Sequence, residues 1–527
     1  MIGGVQAQES TETRAARALA AVVLAAVLVL LLGSVRAPLI DPDEARFART
    51  SVEMLRSGDP VVPTFEGMPR LVKPPLAHWL QSLLFRMFGI HPWLARLPAM
   101  LSTLGSLLLV AWVARRRFGN EGAAWAAAIF LTSPLVVVTG KVGTLDALLA
   151  VHVFAALALD MAEPNEAGPY RGAAVGALLG LAFLAKGPVG VILPLLAMLA
   201  GRTAASRSVV PRLRAATSAV LAMAAVILPW GLAFLQRIGE AGVESTLEQE
   251  VLDRYLEGTA HVRPPWFYAV VLAVGFLPWA APLALALVRV VGDRRSPAAR
   301  TALYAAAALL IGIGFLSLGK GKLPNYMLPL APLVPLLVTW ELGREIERRH
   351  ESMRGPVLLT FTLAGMTLVF GAAAALPRVA PYAPIALTGA ALYGLALLVA
   401  FWGLLSRSPR RVYGAAAVAA ALFLMVVSAT VFPRVAEGRS CRTLVDEVPA
   451  LQSARPLVRV DVRAPSLTYY LDRVPELIQV SEVPARVARG DAPLLLVTEK
   501  DLRAVLGMGI PLRLVRRVGR WSVFEPA

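Results

Sequence analysis

Apolar stretches of about 20 residues recur along most of the chain and restrict its fold more than any other feature. Such a stretch is what an α-helix needs to cross the hydrocarbon core of a bilayer. Hydropathy places them near residues 16–34, 92–114, 121–139, 143–161, 172–184, 188–200, 215–236, 266–290, 300–318, 324–340, 356–376, 384–405 and 411–432. Because 57% of residues are hydrophobic and 17% charged, the sequence predicts an all-α polytopic membrane protein with about thirteen transmembrane helices.

The arginines between these stretches predict which side each loop faces. The chain has 52 basic and 35 acidic residues, and arginines follow alternate spans, as in Arg115, Arg116 and Arg117. Cytoplasmic loops of membrane proteins are rich in Lys and Arg. This pattern predicts a cytoplasmic N-terminus, and only the inner loop 162–171 fits it poorly. We attribute the net charge of +17 to these loops rather than to nucleic-acid binding.

Two outward loops are long, 35–91 and 237–265. The first has the pattern of two amphipathic helices, from about Glu44 to Arg56 and from Pro75 to Phe88, which are expected to lie along the membrane surface. Residues 434–527 alternate strand-like runs with short helical patterns. The sequence predicts a transmembrane domain over 1–433, which includes both loops, and a small extracytoplasmic α/β domain over 434–527.

Lysine is rare and unevenly placed. Only six of the basic residues are lysines, and five of them fall in the outward membrane loops: Lys73, Lys141, Lys186, Lys320 and Lys322. Positive charge on the outer face runs against the usual bias, so it requires a local reason. One interpretation is snorkelling of the ammonium groups at span ends. The other is an anion site, because an ammonium suits phosphate and glycines beside Lys186, Lys320 and Lys322 allow close approach.

Carboxylates occur on the same predicted face. Asp41, Asp43 and Glu44 follow the first span, and Asp146 lies about one turn inside the fourth. A carboxylate at that depth is a functional candidate, although a helix cap or an ion pair with Lys141 would also explain Asp146. Glu44 could equally stabilise the first turn of its helix through the helix dipole.

The outward loops offer three further groups of candidates. His261 could form part of a metal site with Asp43, but a lone surface histidine explains it as well, and a divalent metal is left open. Arg254, Tyr255 and Arg263 share its loop and could bind an anionic head group, while Tyr326 lies in a tract that fits a lipid clamp.

The sequence has a single cysteine, Cys441, which excludes an internal disulfide. No phosphate-binding loop or dinucleotide fingerprint is present, so an outward-facing enzyme would need a substrate already attached to a membrane lipid.

These segments resemble a known family. Residues 41–80, with "DPDEARFART", "SGD" and "KP", resemble the first periplasmic loop of the aminoarabinose transferases (ArnT), members of the protein O-mannosyltransferase-like superfamily with the GT-C fold. "LAKGPVG", "HVRPPWFYAVVLAVGFLPW" and "GKGKLPNYMLPLAP" match further family segments. The resemblance covers roughly 30–435, and is looser in the C-terminal domain.

The resemblance implies an inner-membrane glycosyltransferase that moves a sugar from a polyprenyl-phosphate (undecaprenyl-phosphate) donor to an acceptor on the periplasmic side. Asp43 would be the catalytic carboxylate, Glu44 would assist it, and Asp146 matches a second family acid. The donor phosphate and lipid would be held by six residues: Lys73, Lys186, Arg263, Lys320, Lys322 and Tyr326. Arg254 and Tyr255 are assigned to the acceptor from their place in the second long outward loop rather than from the resemblance. The family often has an acid before the "KP" lysine, where this chain has Val72. If that acid binds a metal or an amino sugar in the family, this chain would lack the metal or use another sugar.

Three alternatives differ in function. The acceptor could be lipid A, another envelope glycolipid, a polysaccharide or, as in protein O-mannosyltransferases, a protein hydroxyl. A flippase for a lipid-linked sugar would typically show internal repeats, and none is evident in the sequence. A scaffold protein would have no reason to collect acids and lysines on one face.

Overall fold

The structure, a computed structural model, describes residues 2–71, 73–162, 168–209, 213–247, 261–293 and 296–527. Helices dominate this part of the chain. Numbered α1 to α20, they are Ile2–Leu31, Asp43–Ser57, Leu76–Phe88, Pro92–Leu131, Pro134–Gly140, Asp146–Ala162, Pro169–Lys186, Val189–Ala204, Leu213–Leu247, Phe267–Gly275, Ala280–Val290, Pro297–Leu318, Leu333–Glu347, Arg354–Ala374, Ala383–Leu405, Pro409–Gly438, Arg442–Glu447, Pro465–Leu471, Val483–Val487 and Glu499–Leu506. The strands β1 to β7 are Thr64–Phe65, Met68–Pro69, Leu457–Val460, Glu476–Ile478, Leu494–Thr498, Leu512–Val518 and Trp521–Pro526.

Every predicted apolar stretch contains helix, so the helical membrane fold is confirmed. By length and hydropathy, seven helices within the described residues can cross a membrane, or up to nine if two bent pairs each count as one span. The predicted number of about thirteen is larger for two reasons. The helix α4 has non-helical backbone at Gly119 and covers two predicted spans, whereas α6, α7 and α8 are short, with 16 to 18 residues each.

The helices predicted in the first long loop are present. The helix α2 begins at Asp43, where two acids in its first turn suit the positive end of the helix dipole, and ends before Gly58 in the left-handed region. The helix α3 begins directly after Pro75. The two-stranded hairpin β1–β2 joins these helices.

The chain forms two compact units. The larger comprises Met1–Leu32, Leu71–Ala77 and Leu97–Ala429, and the smaller comprises Gly33–Arg70, His78–Arg96 and Thr430–Ala527. The C-terminal part of the smaller unit begins at Thr430. Most of the first long loop, however, belongs to the smaller unit rather than to the transmembrane domain, because ion pairs such as Arg459–Glu66 bind it to the C-terminal segment.

A five-stranded sheet forms the centre of the C-terminal segment, in the order β4-β3-β5-β7-β6. The strand β3 pairs in parallel with β4 and β5, whereas β7 pairs antiparallel with β5 and β6. Successive side chains of a strand point to opposite faces. Leu457 and Leu494 accordingly pack in a core on one face, and Val458 and Leu495 in a core on the other. The predicted α/β domain is thus present.

Candidate functional site

In the larger unit, a carboxylate at the start of one helix forms an ion pair with an ammonium at the end of the next helix. Asp146 is the first residue of α6 and Lys186 is the last residue of α7, and these consecutive helices pack against each other. An anion is favoured at a helix N-terminus and a cation at a C-terminus. The two side chains form an ion pair and are 6% and 13% exposed, respectively, so little water screens their attraction.

Three further side chains surround this pair. Asn325, in the 3₁₀-helix Pro324–Leu330 that packs on α6, donates its amide to Asp146 Oδ2 at 2.7 Å. The Thr144 hydroxyl donates to the same oxygen at 3.2 Å. The Lys186 ammonium lies 4.3 Å from the centre of the Tyr326 ring, within cation–π distance. We call Asp146, Lys186, Asn325 and Tyr326 the helix-end cluster.

A second group of predicted residues is joined by backbone pairing in the same unit. An isolated antiparallel bridge pairs Val262 with Gly321, and the Lys322 N–H donates to the His261 carbonyl at 3.1 Å. The Lys322 ammonium is buried and donates to the Arg263 carbonyl at 3.1 Å. The bridge therefore brings together two segments that are about 60 residues apart in sequence, and it leaves the side chains of Lys320, His261 and Arg263 exposed.

The remaining lysines of the outward loops differ in their surroundings. Lys73 is half-buried and belongs to the larger unit through the segment Leu71–Ala77. Lys141 is buried and donates to the carbonyls of Val29 and Leu32 at the end of α1, which have no partner within that helix. The alternative pairing of Asp146 with Lys141 is therefore wrong, since Asp146 pairs with Lys186.

In the smaller unit, Asp43 and Glu44 open α2 with different surroundings. The Asp43 side chain is 59% exposed and has one ion pair, with Arg46 one turn later at 3.3 Å. Glu44 is fully buried, and its two oxygens accept from Arg96 Nε and Nη2 at 2.8 and 2.7 Å. Oδ2 of Asp43, which does not contact Arg46, is thus accessible to a ligand, whereas Glu44 is held in a bidentate salt bridge.

Arg96 in turn fixes the chain before α2. Its guanidinium also donates to the carbonyls of Ser34, Ala37 and Pro38, each at 2.7 Å, and the Ile40 N–H donates to Glu44 at 2.8 Å. This network satisfies the buried charges of both side chains. Its structural consequence is a fixed path from residue 34 to the first turn of α2.

Asp41 connects the same turn to the C-terminal segment. It is mostly buried and accepts hydrogen bonds from the backbone N–H of Ser466 at 2.7 Å and from the Ser466 hydroxyl. Burial raises the pKa of Asp41 from 3.8 to about 6, and the hydrogen bonds from Ser466 oppose that rise. Asp41 therefore has a defined role, in contrast to the simple loop residue that its place before Pro42 suggests.

Some predicted site features lie outside what the structure describes. Arg254, Tyr255 and Val72 are outside the described residues. Within those residues, no group of three or more His, Cys, Asp or Glu side chains could hold a metal ion. His261 is exposed at a positive φ of 59°, and it has no such group around it.

The sequence interpretation missed three residues that the structure places at these sites. Asn325 lies inside the tract "GKGKLPNYMLP", where a polar amide at the start of an apolar stretch was the available signal. Arg96 is a lone charge within a predicted span, and such a charge usually has a buried partner. Ser466 had no signal, because it binds Asp41 across 425 residues of sequence.

Proteins of known sequence are similar to most of this chain. An undecaprenyl phosphate-α-4-amino-4-deoxy-L-arabinose arabinosyl transferase of Edwardsiella ictaluri (strain 93-146) is 31% identical over 436 residues, which are 79% of this chain and 77% of the relative. The enzyme of the same name from Enterobacter sp. (strain 638) is 30% identical over 81% of this chain and 80% of its own length. Residues 72–230 also match the family described as dolichyl-phosphate-mannose-protein mannosyltransferase.

Solved structures show the same fold. The crystal structure of ArnT from Cupriavidus metallidurans bound to undecaprenyl phosphate matches with a TM-score of 0.78 and 22% identity, over 96% of this chain and 98% of that one. The arabinosyltransferase EmbB from Mycobacterium smegmatis matches with a TM-score of 0.51 and 16% identity, over 81% of this chain and 41% of that one. Because the relatives that are 30–31% identical are named transferases, a flippase or scaffold is set aside, and the predicted resemblance is confirmed. This multi-pass membrane protein belongs to the ArnT-like family of glycosyltransferases with the GT-C fold.

Proposed function

We propose that the chain transfers a sugar from an undecaprenyl-phosphate donor to an envelope glycolipid, such as lipid A, on the periplasmic side of the inner membrane. The relatives are named for an undecaprenyl-phosphate-linked aminoarabinose donor, and the C. metallidurans structure holds undecaprenyl phosphate. The observation that carries the proposal is the helix-end cluster, where the partly buried Lys186 ammonium is fixed by Asp146.

The helix-end cluster suits a donor phosphate. An ammonium has three N–H donors, and in Lys186 one is directed to Asp146 while the side chain lies over the Tyr326 ring. These contacts hold the ammonium in place before a ligand arrives. The remaining donors can then stabilise the negative charge that grows on the phosphate as it leaves. Lys73, Lys320, Lys322 and Arg263 are further cations of the larger unit that we assign to the phosphate and its lipid.

The proposed step is a displacement at the anomeric carbon of the sugar. The acceptor oxygen forms a bond to that carbon, and the carbon–oxygen bond to the donor phosphate breaks with its electron pair going to undecaprenyl phosphate. Asp43 accepts the proton that the acceptor hydroxyl loses, which its exposed position permits. We assign Glu44 as a positioning residue, because Arg96 occupies both of its oxygens.

Arg254 and Tyr255 are proposed to bind the acceptor because they share the second long outward loop, where they could contact an anionic head group. We also propose that the N-terminus is cytoplasmic and that the C-terminal segment is periplasmic, as the arginine distribution predicts.

The decisive experiment replaces Asp43. Asp43→Asn should lower kcat about a hundredfold or more, the usual contribution of a general base, with little change in unfolding temperature because the side chain is exposed. Transfer would be measured with purified protein and an undecaprenyl-phosphate sugar. Asp59→Asn, another acid of the same loop, is the matched control. Transfer at the wild-type rate in Asp43→Asn would refute the assignment of Asp43.

A protein acceptor is the second candidate, because residues 72–230 match the protein mannosyltransferase family. The same purified enzyme and donor can be given lipid A in one reaction and a serine- and threonine-rich peptide in another. We expect label in the glycolipid only. Label in the peptide alone would replace the glycolipid proposal with protein O-glycosylation.

A further inference from the structure

A cavity of about 410 Å³ opens at one edge of the C-terminal sheet. It is lined by residues that directly follow the parallel strands β3 and β5, and by Arg520 and Trp521, where the antiparallel β7 begins beside the end of β5. In open α/β sheets, ligands bind in the crevice at the carboxyl ends of the parallel strands. The volume is within the range of small-ligand clefts.

Three cationic side chains converge on this cavity. Arg463 and Lys500 are exposed, and neither forms a hydrogen bond or ion pair through its side chain with the residues that the structure describes. Arg520 lies over the Trp521 ring at 4.4 Å. Most other arginines of this segment have carboxylate partners, as Arg455, Arg513 and Arg517 do. The cations of the cavity thus differ from most arginines of the surrounding surface, which are paired with carboxylates.

The acids of the cavity already have partners. Asp461 Oδ2 accepts from the Val480 N–H at 3.0 Å, and Asp501 Oδ2 accepts from the Thr498 hydroxyl at 2.7 Å. Both contacts fix the loops that follow the strands. The cavity therefore has a net positive charge, with cations left to bind a ligand and carboxylates used for structure.

We propose that this cavity binds a phosphate group of the acceptor glycolipid, through Arg463, Lys500 and Arg520. A guanidinium binds phosphate in a bidentate manner and an ammonium binds it as a point charge. A short path connects the cavity to the proposed base. The loop after β3 leads into α18, whose Ser466 holds Asp41 two residues before Asp43. The assignment to the acceptor rests on the proposed function, whereas the anion site itself does not.

The kinetic test uses the double variant Arg463→Ala/Lys500→Ala in the full-length protein. Both side chains are exposed, so folding should be unaffected. We expect the KM for a phosphorylated glycolipid acceptor to rise about tenfold, with kcat and the donor KM unchanged, and no effect on the dephosphorylated acceptor. Arg489→Ala/Arg503→Ala removes the same charge from exposed sites of the same segment and should leave the KM unchanged. An unchanged KM in the cavity variant, or an equal rise in the control, would overturn the assignment to the acceptor.

A binding test separates the anion site from the transfer reaction. Calorimetry with inorganic phosphate is carried out at low ionic strength on protein saturated with undecaprenyl phosphate, which occupies the donor site. We expect weak binding that raised salt abolishes and that the cavity variant loses. Loss of phosphate binding with an unchanged acceptor KM would indicate a site for free phosphate and refute the acceptor assignment. If the wild type transfers no sugar, the proposed function fails and the acceptor assignment with it, while phosphate binding still decides whether the anion site exists.

Discussion

Asp43 and Glu44 are adjacent in sequence, but their side chains have opposite environments. Asp43 is exposed beside Arg46, whereas Glu44 is fully buried in a salt bridge with Arg96. A base must reach its substrate, and a buried carboxylate with both oxygens occupied cannot do so without breaking its salt bridge. Asp43 can therefore react with a substrate, whereas Glu44 serves to position Asp43 and the turn before α2.

This difference predicts the effect of Glu44→Gln. The substitution leaves the Arg96 guanidinium buried without its counter-charge, and breaking such a pair costs about 3 kcal/mol or more. We expect a clear fall in the unfolding temperature, measured by fluorimetry in detergent. Asp43→Asn serves as the control and should unfold at the wild-type temperature. A Glu44→Gln protein with wild-type stability and no activity would instead indicate a direct catalytic role for Glu44.

The sequence predicted site residues best where a charge was out of place. Lys186 and Asp146 stood out as charges on an apolar background, and the structure pairs them. Glu44 was predicted as an assistant to Asp43, but no pattern indicated that Arg96 would bind it. Ser466 could not be predicted at all, because contacts between distant segments leave no periodic signal in a single sequence.

Between elements, the helix-end cluster depends on how α6 and α7 pack. The two helices bring together the N-terminus of one and the C-terminus of the other, and the 3₁₀-helix Pro324–Leu330 adds Asn325 and Tyr326. Hydropathy located these apolar segments, but it does not encode which helix ends adjoin. The short lengths of α6 and α8 also made the number of spans uncertain from sequence.

Lys186→Met tests the cluster. A lost charge-assisted bond to phosphate is worth about 1.5–3 kcal/mol, so we expect the donor KM to rise about 10- to 150-fold. The single variant also leaves Asp146 without its cation, which should lower stability. The double variant Lys186→Met/Asp146→Asn removes both charges, and it should recover stability without recovering donor affinity. Recovery of both would show that Lys186 is needed only for folding.

The contact between the turn before α2 and α18 should depend on pH. The pKa of Asp41 rises from 3.8 to about 6 on folding, so its contribution to stability is fully present below pH 3.8 and is lost as the pH rises through 6. A shift of this size is worth about 3 kcal/mol at most. Asp41→Asn removes the titration, so the variant should gain in unfolding temperature relative to wild type between pH 4 and pH 8. A difference that does not change over this range would contradict the assignment.

Over the whole molecule, the compact units do not follow the order of the chain. The smaller unit combines the C-terminal segment with Gly33–Arg70 and His78–Arg96. Arg459 binds Glu66 across 393 residues, and Arg49 binds Asp472 across 423. The strand-like and helical patterns of residues 434–527 predicted a separate domain, but such local patterns do not record which distant segments pack together.

The smaller unit includes both Asp43 and the C-terminal sheet, so its position relative to the membrane decides where transfer takes place. The arginine-rich loops predict that Glu351 is cytoplasmic and that Ser481, in the C-terminal segment, is periplasmic. Both residues are exposed, while the single native cysteine, Cys441, is buried and burial raises the pKa of its thiol. Ser481→Cys and Glu351→Cys therefore provide reactive thiols against a silent background.

We expect a membrane-impermeant maleimide to label Ser481→Cys in cells whose outer membrane has been made permeable, and to label Glu351→Cys only after the inner membrane is lysed. The wild-type protein, with Cys441 alone, should remain unlabelled in both conditions. The opposite labelling pattern would place Asp43 in the cytoplasm. A periplasmic acceptor would then be excluded, even if the purified enzyme were active.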